Sequence, residues 1–79
     1  MELSTVNNFF YFMWNQWSLR TSMDLFGPYL GEHIWNKWID EVGYFGPTAA
    51  VASFYAEIDN NCRQTIIEAA NKHYTNENA

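Results

Sequence analysis

Residues 27–47 read GPYLGEHIWNKWIDEVGYFGP, with a Gly-Pro pair at each end, Gly27-Pro28 and Gly46-Pro47. Glycine accepts the backbone geometry that ends a helix, and proline has its φ preset for a first helical turn, where its missing N–H costs nothing. Between the pairs, Leu30, Ile34, Trp35, Trp38 and Val42 recur at three- and four-residue spacing, the stripe of a helix buried along one side. The stretch therefore predicts a helix from Pro28 to about Val42, preceded and followed by other helices. Gly31 lies inside the apolar stripe, where glycine costs about 1 kcal/mol relative to alanine. A second backbone is expected to pass close to it.

Downstream, Val51, Phe54, Tyr55 and Ile58 keep the i, i+3, i+4, i+7 spacing of a helix from Thr48 to Ile58. Asp59 suits the cap of a fifth helix that carries Cys62, Ile66, Ala69, Ala70 and His73 on one face. A kink at Asp59-Asn60-Asn61 is the alternative to a full break. Upstream, Ser18 or Ser22 suits the cap of a short second helix ending at Phe26. A first helix, capped by Ser4 or Thr5 and centred on Phe10, would turn Leu3, Val6, Met13, Trp14 and Trp17 inward. No alternating strand pattern is found. The expectation is an all-α fold: a compact single domain of four or five short helices over residues 1–74, with a polar tail at 75–79 that frays.

Nine carboxylates against four Lys and Arg residues give a net charge of −5. Phosphate-backbone binding draws on clustered cations, and Arg20, Lys37, Arg63 and Lys72 are scattered. Direct nucleic-acid binding is not expected, nor is binding to an anionic membrane surface. Cys62 is the only cysteine, which excludes an intramolecular disulfide and fits a reducing, cytoplasmic setting. The N-terminus has neither a basic n-region nor a small-residue cleavage site. Its longest wholly apolar run, Phe9 to Trp14, falls far short of the ~20 residues of a membrane span.

Catalytic groups are sparse. Cys62 and His73 are eleven residues apart on one predicted helix, about 16 Å along its axis, too far to form a nucleophile-base pair. Cys62 reads as a small buried hydrophobe, and His33 as a polar-face residue beside Lys37 and Asp40. No metal-binding motif occurs, and two histidines with one cysteine make a poor zinc set. Neither an enzyme nor a cofactor is expected.

The informative excess is aromatic. Six of the nine residues from Phe9 to Trp17 are Phe, Tyr or Trp, and a short helix cannot hide them all on one face. With about 1.5 kcal/mol of ordering cost per residue, a 79-residue chain has little apolar surface to spare. The leading expectation is a non-enzymatic protein-binding domain. Phe12, with Tyr11 or Phe9, would form an exposed anchor, and Trp35 would stand at the edge of its stripe. Tyr44 and Phe45 would form a recognition tip in a loop from Gly43 to Gly46, while Asp40 and Glu41 would steer a partner with a basic surface. Small size, acidity and lack of chemistry match, by analogy alone, a phage or mobile-element inhibitor of a host defence nuclease complex. Two alternatives use the same residues: a homodimer seam, and a small-ligand or nucleotide sensor whose aromatic pocket orients its ligand with His33 and Asn side chains.

Overall fold

A computed structural model describes the backbone of residues 3–78 and the side chains of residues 7–46 and 48–74. Among the described residues the chain forms five helices and no strand: α1 (Leu3–Asn15), α2 (Leu19–Phe26), α3 (Pro28–Phe45), α4 (Pro47–Glu57) and α5 (Asn60–Asn78). The all-α reading holds.

The breaks have the expected chemistry. Gly27 and Gly46 adopt φ of 88° and 74°, and their N–H groups donate to the carbonyls of Met23 and Val42. Pro28 and Pro47 then open α3 and α4. Ser18 caps α2, its Oγ accepting from the Thr21 N–H at 3.1 Å. Asp59 Oδ2 accepts from the Asn61 N–H at 2.9 Å, so α4 and α5 are separate helices and not one kinked helix. Ser4 and Thr5 lie inside the first turn of α1 and do not precede it. α5 continues to Asn78, over four of the five residues assigned to the tail.

α3 packs between α2 and α4, while α1 lies along α5 and touches α4. The α2–α3 approach runs over Gly31, as its place in the stripe implied: a Cβ there would stand 2.5 Å from Met23 Cα. Phe54 of α4 is the meeting point of the core. Its ring centroid lies 5.5 Å from that of Trp38 and 6.4 Å from that of Trp17, and Trp17 in turn neighbours Phe12 at 6.3 Å. Phe9, Met13, Ile34, Ala50, Val51, Ile58, Cys62, Ile66, Ile67 and Ala70 complete the buried hydrophobic set. The radius of gyration, 11.9 Å, is close to the ~11.6 Å expected for a compact domain of this length.

The phase of α1 differs from the reading centred on Phe10. Phe9, Phe12 and Met13 are the buried residues, Phe10 is half-buried, and Trp14 is exposed. The inner face is thus turned by about one residue, roughly 100°, toward Phe9. Contacts on two sides explain the shift: α5 and α4 both lie against α1, and the Asn8 Nδ2 donates to Asn71 Oδ1 at 3.1 Å across the α1–α5 contact. Trp17 lies beyond the end of α1, so a helical wheel does not place it.

Candidate functional site

Burial divides the residues singled out by sequence. Phe12 is only 5% exposed, packed against Trp17 and within ring contact of His73, so it is a core residue and not a surface anchor. Glu41 is also buried, at 7% exposure. It sits on the flank of α3 that meets α4, where Ser53 supplies a partner that no local pattern in α3 reveals. Trp35 is half-buried against the core. Tyr11, Asp40, Tyr44 and Phe45 are exposed. Tyr44 and Phe45 belong to the last turn of α3 and not to a loop, their rings 6.0 Å apart.

Two aromatic surfaces result. On α1, Asn7, Tyr11, Trp14 and Asn15 fall on one outer face at i, i+4, i+7, i+8, all exposed, with Tyr11 at 57% and Trp14 at 52%. On α3, Tyr29, His33, Asn36, Asp40 and Tyr44 form an outer row, and Tyr29 and Tyr44 at its two ends are 91% and 86% exposed. Trp14 and Tyr29 were missed by the sequence reading. Tyr29 had a usable signal, since it lies opposite the apolar stripe of α3. Trp14 did not, because nearly every position around it is apolar.

Between α3 and α4 lies a polar cluster. Ser53 Oγ stands 2.8 Å from Glu41 Oε2 and 2.6 Å from Glu57 Oε2, one hydroxyl proton serving two carboxylates. Lys37 Nζ offsets part of their charge at 3.7 Å from Glu41 and 3.8 Å from Glu57. The Ser53 hydroxyl, the hydrogen-bonded contact with Glu41 and the Lys37 ammonium together hold the Glu57 carboxyl below its ordinary pKa. This arrangement latches two helices, and its lysine and hydroxyl are already engaged.

His33, Asn36, Lys37 and Asp40 line a shallow depression of about 280 Å³ on α3. That lining includes the His33 expected of a ligand site but no aromatic wall, and the volume lies just under the usual range of ~300–1,000 Å³ for ligand pockets. Cys62 is buried, and burial followed by the Asp59 charge pushes its thiol pKa up, the reverse of nucleophile activation. Among the described residues no group of three or more His, Cys, Asp or Glu side chains is arranged to hold a metal ion, and no helix is long and apolar enough to cross a membrane.

Comparison with known proteins finds no matching family model, no matching curated protein and no matching solved structure.

Proposed function

We propose that the chain is a non-catalytic protein-binding domain that docks through the outer face of α1. The supporting observation is the pair Tyr11 and Trp14. They stand one turn apart and more than half exposed on a helix whose Phe9 and Phe12 are committed to the core and whose Phe10 is half-buried against it. In so small a chain the apolar area of a tryptophan left in water is area withheld from folding. Trp and Tyr are also the residue types that most often dominate binding energy at protein interfaces. Asn7 and Asn15 supply a polar rim around them.

The net charge of −5 favours a partner with a basic surface. With Glu41 buried, steering falls to Asp40 and Glu32, both exposed on α3. The narrower reading as an inhibitor of a defence nuclease complex rests on size and acidity alone.

The test is affinity capture from a lysate of the cells that carry the gene, with wild type and Trp14→Ala side by side. A protein enriched on wild type and lost on the folded variant supports the reading. No enriched protein, or equal capture by both, overturns it.

A further inference from the structure

The outer row of α3, with Lys37 on its flank, is complementary to its own reverse. From the N-terminal end it runs Tyr29, His33, Asn36, and from the C-terminal end Tyr44, Asp40, Lys37. If a second α3 is laid antiparallel on the first, Tyr29 faces Tyr44, His33 faces Asp40 and Asn36 faces Lys37. A two-fold axis repeats each of these pairs. A closed two-fold interface requires this self-complementarity: residue i must suit residue j, and the same patch is used on both copies.

The charges fit this arrangement. Asp40 of each copy meets the imidazole of the other, a donor in either tautomer and a cation when protonated. Lys37, close to the axis, brings no excess positive charge, because it is already paired with its own Glu41 and Glu57. Glu32 lies to the side of the row. The four tyrosines, at roughly 150–250 Å² each, bring on the order of 600–1,000 Å², and the remaining row carries the contact toward the lower end of stable interfaces, about 1,200 Å². The row spans about 22 Å from Tyr29 to Tyr44, most of the length of α3.

We infer that the outer face of α3 is a self-association surface whose occupant is the α3 of a second copy, antiparallel, with Tyr29–Tyr44 and His33–Asp40 contacts made twice. This goes beyond the α1 docking reading and does not depend on it, since Tyr11 and Trp14 are not in the row.

Sedimentation velocity of the full chain from about 10 μM to about 1 mM tests the inference, at affinities suited to an interface near the lower size limit. Wild type shifts from monomer to dimer across this range. Asp40→Lys, which removes the carboxylate that faces His33 and puts an ammonium in its place, weakens the dimer at least tenfold, as does Tyr29→Ala with Tyr44→Ala. The exchange His33→Asp with Asp40→His restores association by swapping both partners of each pair. All these side chains are exposed, so circular dichroism should show folded variants. A wild type that stays monomeric at about 1 mM overturns the inference, and so does a dimer unaffected by Asp40→Lys.

Discussion

Ser22 and Gly31 tie α2 to α3: the Ser22 Oγ donates to the Gly31 carbonyl at 2.6 Å. The approach exists because Gly31 has no side chain, since a Cβ there would stand 2.7 Å from the Ser22 carbonyl oxygen and 2.5 Å from Met23 Cα. Both obstacles are backbone atoms, so relief requires the helices to part. Gly31→Ala is predicted to destabilise the fold by about 2–3 kcal/mol, although alanine elsewhere in a helix gains about 1 kcal/mol over glycine. Ser22→Ala is predicted to cost about 1 kcal/mol. Urea unfolding of the two variants checks both values.

Phe12 occupies the junction of α1 with Trp17 and the α5 face around His73. Phe12→Ala is predicted to lose about 3–5 kcal/mol, the cost of a large cavity in a small core. In a domain of this size that unfolds much of the population at 25 °C, read directly by far-ultraviolet circular dichroism.

Trp17 carries the buried polar atom Nε1 with no hydrogen-bond partner among the described residues. An unsatisfied buried N–H costs about 1–3 kcal/mol, comparable to the packing of the extra ring atoms. Trp17→Phe is therefore predicted to leave stability within about 1 kcal/mol of wild type, whereas Trp17→Ala should cost about 3 kcal/mol or more. Thermal melts of the pair distinguish the loss of the ring from the loss of the N–H.

The folded chain holds Glu57 below its ordinary pKa, chiefly through Ser53. A carboxylate depressed on folding stabilises the native state fully above its unfolded pKa, about 4.3 for glutamate, and the contribution disappears as pH falls through the folded value. Glu57→Gln should be less stable than wild type at pH 7, and the two melting curves should converge with acidification below the ordinary glutamate range. A gap that stays constant down to acid pH would contradict the latch.

The helix boundaries were legible because they are set by local chemistry: Gly27-Pro28, Gly46-Pro47, Ser18 and Asp59 all act within a few residues of themselves. Gly31 was legible for a related reason, since a glycine inside an apolar stripe has little other use than close approach. α1 was harder. With Phe9, Phe10, Phe12, Met13 and Trp14 nearly contiguous, an inward face can be drawn at several phases, and only the positions of α4 and α5 decide between them. Glu41 failed for want of a tertiary partner, as Ser53 lies on another helix. Gly43 looked like the start of a loop, yet α3 passes through it and stops at Gly46, where φ turns positive. That one difference moves Tyr44 from a loop tip to the outer row of a helix.

Once a partner is captured, calorimetric titration of that partner into wild type and into Trp14→Ala, with matched urea midpoints, tests the docking face most directly. An anchor role predicts that the variant binds at least about thirtyfold more weakly, a loss of ~2 kcal/mol or more, while its stability stays within about 1 kcal/mol. Equal affinity for the two proteins would contradict it, and would leave the exposed tryptophan of α1 without the function assigned to it.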